Sequence, residues 1–427
     1  MKETGKLLAL LFALLLLSSC TLPKMEGAQN PAGENPASDA GPAADEVRIQ
    51  SDNDAQPVYR IPAADERLPS LKEHFEGIMR VGAAVNTRDL RENTKLYETV
   101  LKHYSVLVLE NEMKPENMNP APDVYHFDAA DAFAEFGQEN GIALRGHTLI
   151  WHSQVPAWWF EGSGEDGRAT REELLARMEE YITTVVTRYK GRIHTWDVVN
   201  EAVSDNGDGL RGEEENSLWT SIIGDLDGDG KNTDYIEQAF YLARAADPDA
   251  QLILNDYNLE GDAAKLEAFY LTVKAMLEKG VPIDGVGIQG HINTGWPSVE
   301  NFEAAIEKLA SLKDFDPDFV VQVTELDMSL FSWGDESLEK EMDVILQTQF
   351  AVRYADLFDM FRRQAEKGNL DMVLTWGVYD GASWLNNYPV EGRIDAPLLF
   401  DRDMQAKPAF WAVIDRTWLR AVFAEYK

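Results

Sequence analysis

Trp196-Asp197-Val198-Val199-Asn200-Glu201 and Val320-Val321-Gln322-Val323-Thr324-Glu325 each run from branched apolar residues straight into a glutamate. Short runs rich in valine read as buried strands. A strand that closes on Asn-Glu or Thr-Glu carries its polar chemistry at its C-terminal end. Six further runs share the pattern: 79–85, 106–109, 142–144, 252–254, 286–288 and 372–374. They lead into Glu110-Asn111, His147, Asn255-Asp256, Gln289 with His291, and Trp376. Amphipathic stretches of helical length lie between them, such as 129–140 before Gly141 and 171–190 before Gly191, where glycine suits the left-handed residue that closes a helix. Eight strand–helix units with their reactive side chains gathered at one strand end predict an α/β fold. The expected form is a single (β/α)8 TIM barrel with its site on the C-terminal face.

The barrel is expected to follow a signal peptide and a disordered tether. Lys2 and Lys6 precede a leucine-rich stretch too short for an ordinary membrane span, which ends in Leu17-Ser18-Ser19-Cys20. That ending resembles the bacterial lipobox, which implies lipidation of Cys20 and a protein held at the membrane only by that anchor. A plain secretory signal with a soluble product is the alternative. Residues 21–57 are dominated by Ala, Pro, Gly, Asn, Asp and Glu and hold too little apolar surface to fold. The division is therefore 1–20 signal, 21–57 linker and 58–427 barrel domain, expected to act as a monomer. Cys20 is the single cysteine, so stability outside the cytosol has to come from a large core rather than from disulfides.

A formal net charge of -35 argues against nucleic acid and anionic membranes as partners and favours a neutral ligand. Sugars fit that description. Cleaving a glycosidic bond takes a carboxylic acid that protonates the leaving oxygen and a second carboxylate at the anomeric carbon; roughly 5–5.5 Å between them gives the covalent, retaining route. Alone, a glutamate at a strand end is more often a structural partner for a basic residue. Two of them, on the fourth and seventh strands and with Asn200 beside Glu201, form a candidate catalytic pair. Glu110, Asn111 and Lys114 suit a grip on adjacent sugar hydroxyls, as do His147 and Gln289. Trp151, Tyr257, Trp376 and Trp384 are candidate walls, with packing as the competing role for Trp151 and Tyr257.

Residues from about 70 to 420 resemble glycoside hydrolase family 10, the family of endo-β-1,4-xylanases. The resemblance rests on seven motifs in family order. Glu110-Asn111-Glu112-Met113-Lys114, Gly146-His147-Thr148-Leu149-Ile150-Trp151-His152 and Asp197-Val198-Val199-Asn200-Glu201 come first. Asn255-Asp256-Tyr257-Asn258, Gln289-Gly290-His291, Thr324-Glu325-Leu326-Asp327 and Trp376-Gly377-Val378 with Ser383-Trp384 follow. The resemblance implies Glu201 as acid/base, Glu325 as nucleophile, Asn200 as donor to the sugar 2-hydroxyl, and His291 and Asp327 as partners of the Glu325 carboxylate. It implies xylan and xylo-oligosaccharides as substrates, cut with retention, and neither a cofactor nor a catalytic metal. Two other functions compete: a barrel glycosidase for another β-glucan, and a surface glycan binder that has lost catalysis. A pure binder has no need of both glutamates.

Gly162-Ser163-Gly164-Glu165-Asp166-Gly167 satisfies G-x-G-x-x-G, but its two acids repel a pyrophosphate, and Thr170 with Glu173 reads more simply as a helix-capping box. Two acidic stretches depart from the family pattern, Gly212-Glu213-Glu214-Glu215 and Asp225-Leu226-Asp227-Gly228-Asp229-Gly230. The second matches the first half of a calcium loop. It then weakens, because the twelfth position is Ile236, with Asp234 and Glu237 to either side. An ordinary solvated acidic turn is the alternative.

Overall fold

The computed structural model describes residues 68–419 apart from Asn93. Cys20 and the 21–57 linker lie outside them. Eight parallel strands alternate with eight helices. The strands are β1 Arg80–Val85, β2 Val106–Leu109, β3 Ala143–Trp151, β4 Thr195–Asn200, β5 Gln251–Asp256, β6 Gly285–Ile288, β7 Val320–Ser329 and β8 Met372–Thr375. The helices that follow them are α1 Lys95–His103, α2 Asp128–Asn140, α3 Arg171–Tyr189, α4 Asp234–Ala246, α5 Ala263–Glu278, α6 Val299–Ala310, α7 Val344–Glu366 and α8 Pro408–Ile414. Each strand pairs in parallel with its sequence neighbour, and β1 pairs with β8 in the register Arg80↔Met372, which closes the barrel.

Local sequence explains the element ends. Thr170 accepts from the Glu173 amide while the Glu173 carboxylate accepts from Thr170 N, so the expected box starts α3. Gly141 closes α2 at φ 62. Two expected strands proved more than twice as long: 142–144 becomes Ala143–Trp151 and 320–323 becomes Val320–Ser329. Polar residues interrupt the apolar run in both, and the barrel interior accepts them because they are paired. Arg145 and Asp197, each 1% exposed, form a two-pronged ion pair inside the barrel, and Arg145 Nη1 also donates to Gln322 Oε1 at 2.6 Å. Ala84, Val106, Val108, Leu374 and Trp376 form a separate apolar cluster.

One register break shapes the site. Gly285 pairs with Val320 and Ile288 with Val323, but a short continuation of β6, His291–Asn293, pairs with β7 from His291↔Asp327 onward. Three steps on one strand face four on the other. The β7–β8 register shifts at the same place, between Val323 and Leu326, so the extra residue belongs to β7. Such a bulge turns two successive side chains toward one face. Thr324 and Glu325 both reach Asn255 as a result.

Candidate active site

Glu325 is 4% exposed and sits at the bulge. Asn255 Nδ2 donates to its Oε1 at 2.8 Å, and His291 Nε2 lies 3.2 Å from its Oε2. The other ring nitrogen of His291 lies 3.0 Å from Asp327 Oδ1, while Trp384 Nε1 donates to Asp327 Oδ2 at 2.7 Å. With a carboxylate at each nitrogen, the ring is doubly protonated and donates to both. Burial alone would depress the imidazole, but Asp327 and Glu325 outweigh it and hold it at about 10. Burial likewise pushes the Glu325 carboxyl up. The hydrogen bond from His291, then the charges of His147 and His291, outweigh that and leave Glu325 below the usual carboxylate range. Burial also pushes Asp327 up, yet both its oxygens accept hydrogen bonds, and the pair stands as imidazolium and carboxylate.

This arrangement fixes a sign for the pH response. Chemistry at an ionised Glu325 is lost as pH falls through its pKa, and that pKa is held down by the His291 cation. His291→Gln keeps a donor but removes the charge, so the acid limb of kcat/KM is expected to move to higher pH, by about one unit. Matched pH–rate profiles of the two proteins check this. An unmoved limb would show that Glu325 owes its low pKa to something else.

Glu201 follows β4 with φ 56, in the left-handed region that non-glycine residues seldom adopt. Both of its backbone groups are held. Its amide donates to Asn255 O at 2.8 Å, and its carbonyl accepts from Arg211 Nε at 3.2 Å. Arg211 is 4% exposed; it also donates to Val203 O and pairs with Asp205. A residue in this region costs of order 1–3 kcal/mol and persists only where its surroundings dictate it. Arg211 is that dictation. The carboxylate itself accepts from Trp151 Nε1 at 2.8 Å and Gln289 Nε2 at 3.0 Å. His152 Nδ1 lies 4.0 Å away; burial and then the Arg211 charge hold this imidazole down at about 4, so it is neutral.

Asn255 joins the two halves. Its Nδ2 donates to Asn200 Oδ1 at 2.9 Å as well as to Glu325, and its Oδ1 accepts from Thr324 Oγ1 at 2.6 Å. Close approach makes room for it, since a Cβ on Gly287 would stand 2.1 Å from that Oδ1.

The structure brings the expected residues to one barrel mouth, with some changed duties. Asp327 reaches Glu325 only through His291. Asn200 Nδ2 faces Glu201 Oε1 at 3.3 Å. His147 Nδ1 lies 3.0 Å from Asp197 Oδ2. Trp376 is 6% exposed and packs edge-on against the His147 and His291 rings. Lys114 Nζ donates to Asn111 Oδ1 at 2.9 Å and Gln154 Oε1 at 2.7 Å, and Asn86 Nδ2 donates to Glu110 Oε2 at 3.1 Å. Tyr257 has the most altered place. Its hydroxyl donates to Asp205 and accepts from Arg211, while Lys265 Nζ stands 3.5 Å from its ring centroid. The sequence reading assigned no role to Asn255, Arg211, Asp205, Gln154 or Asn86. Asn255, at the end of an apolar run in β5, and Asn86, directly after β1, carried a strand-end signal; the others lie in connecting loops and carried none.

A buried glutamate and a half-buried one, at a mouth lined with polar and aromatic side chains, define a two-carboxylate glycoside hydrolase on a barrel. The chain belongs to glycosyl hydrolase family 10, whose profile matches residues 70–416. Endo-1,4-beta-xylanase C of Paenibacillus barcinonensis is 42% identical over 84% of this chain, which spans 32% of that longer protein. Endo-1,4-beta-xylanase B of the same organism is 41% identical over 81% of this chain and 98% of its own length. A solved family 10 structure from P. barcinonensis superposes with a TM-score of 0.79 at 42% identity, covering 82% of this chain and 98% of that one.

Proposed function

We propose how this site carries out the activity that family membership indicates: hydrolysis of internal β-1,4 bonds of xylan and xylo-oligosaccharides with retention at the anomeric carbon. Glu325 attacks the anomeric carbon while Glu201 gives its proton to the leaving oxygen. A covalent glycosyl-enzyme results. Glu201, now a carboxylate, takes a proton from water, and that water displaces Glu325 to release a β-configured sugar. The observation that carries this division of roles is the contrast between the two carboxylates. Glu325 is tied to a cation, as an ionised nucleophile needs, whereas Glu201 accepts only from neutral donors, Trp151, Gln289 and Asn200. Proton NMR of fresh hydrolysate tests it: the first product is expected to be the β-anomer, and an initial α-anomer would remove Glu325 from the nucleophile's place.

The protein's place in the cell follows from a different part of the chain. The Leu17-Ser18-Ser19-Cys20 ending supports a lipid anchor at Cys20 on the outer side of a membrane. Among the described residues no helix is long and apolar enough to cross a membrane. Cys20→Ala is expected to move the protein from the membrane fraction to the soluble one. A wild type that is already soluble and unlipidated by mass spectrometry would leave a plain secretory signal instead.

A further inference from the structure

The connection between β4 and α4 holds a charge cluster that catalysis does not use. Asp225, Asp227 and Asp229 each bring a carboxylate oxygen within 4.8 Å of the others, and Asp227 does the same with Asp234 and Glu237. Asp227 belongs to both groups, so the two triads adjoin. The sequence spacing alone failed at the twelfth position, Ile236. In the fold that gap is filled, because the first turn of α4 delivers Asp234 and Glu237 to the loop.

Two observations point to a cation beyond acidity itself. The Lys279 ammonium, at the end of α5, sits 2.8 Å from Asp227 Oδ2, 2.7 Å from Asp229 Oδ2 and 2.8 Å from Glu237 Oε1, so the geometry already converges on a positive charge. The second is Asp234, which is 3% exposed and has its Oδ2 buried with no hydrogen-bond partner. A buried carboxylate oxygen without a donor is costly, and an ion beside it removes that cost. The ammonium pairs with Asp227, Asp229 and Glu237, while Asp225 accepts from the Gly228 and Gly230 amides and Asp234 has no cation among the described residues. A hard divalent cation takes six to eight oxygens and suits such a cluster far better.

We propose that Asp225, Asp227, Asp229, Asp234 and Glu237 form a calcium site, in which the ion takes the place of the Lys279 ammonium. Lys279 has a four-carbon stem and a side chain 25% exposed, so its ammonium swings out to water when the metal enters. The site lies on a connection behind β4 and shares no residue with the catalytic cluster. Its effect is therefore on stability, through preferential binding to the folded chain.

Full-length protein stripped with chelator and titrated with calcium in a calorimeter is expected to bind one ion. Affinity should fall near the range of extracellular loops, a Kd of about 10⁻⁴–10⁻³ M, and calcium should raise the melting temperature. The Asp227→Asn, Asp229→Asn double variant should lose both responses. Lys279→Ala removes the competing charge and should bind at least about tenfold more tightly. A wild type with no binding heat and no melting shift overturns the proposal, as does calcium binding that survives the double variant. Equal or weaker binding by Lys279→Ala also overturns it and makes the lysine the loop's permanent counter-ion.

Discussion

Glu325→Ala is expected to lower kcat on xylan by at least about 10⁴-fold, the largest loss any single substitution here should cause. The proposed nucleophile cannot be replaced from nearby. His291 is a cation, Asn255 is a neutral amide, and Asp327 is turned away toward His291 and Trp384. A small external nucleophile offers a decisive control. Azide entering the space of the missing carboxylate attacks the anomeric carbon of an activated aryl xyloside once, so the product should be the α-glycosyl azide. Rescue that yields the β-azide instead would mean that another carboxylate had attacked first.

The second large effect separates by substrate. Glu201→Ala should cut turnover of xylan by about 10²–10⁴-fold, because an alkoxide leaving group needs a proton in the transition state. Aryl xylosides with acidic phenols need none, and their first step should remain fast. Hydrolysis of the intermediate then becomes rate-limiting, since no base activates water. A burst of phenol followed by slow turnover is the expected trace, and azide should accelerate the slow phase and give the β-glycosyl azide after two inversions. Equal loss on both substrates would assign Glu201 a binding or folding role. Trp151 and Gln289 each donate to this carboxylate, so Glu201→Gln serves as the variant that preserves shape.

Much of this was readable along the chain, for definable reasons. Strand number and order follow from apolar runs, and the catalytic face follows from where the polar residues fall on them. Glu201 and Glu325 were legible because both end such runs. Where polar residues continue a strand, as Arg145 and His147 do in β3, the run breaks while the strand does not, because the partners that make burial tolerable lie 50 or more residues away. The bulge in β7 has the same character. Nothing in Val323-Thr324-Glu325-Leu326 marks an extra residue; only the registers of β6 and β8 reveal it. Arg211 was invisible for a third reason. It lies in a loop, and its importance comes from the backbone carbonyls it holds, which have no sequence signature.

The Asp327–His291–Glu325 chain bears unequally on the two halves of the reaction. A carboxylate whose basicity is lowered by an imidazolium is a weaker nucleophile in the first displacement, yet in the second it is the group that departs, and lower basicity makes it depart more readily. When the ester forms, Glu325 surrenders its negative charge, while Asp327 stays at the other nitrogen of His291. The imidazole that will receive the departing carboxylate thus keeps its own partner throughout the life of the intermediate. The site therefore trades attack for release, guarding against an enzyme trapped as its own ester.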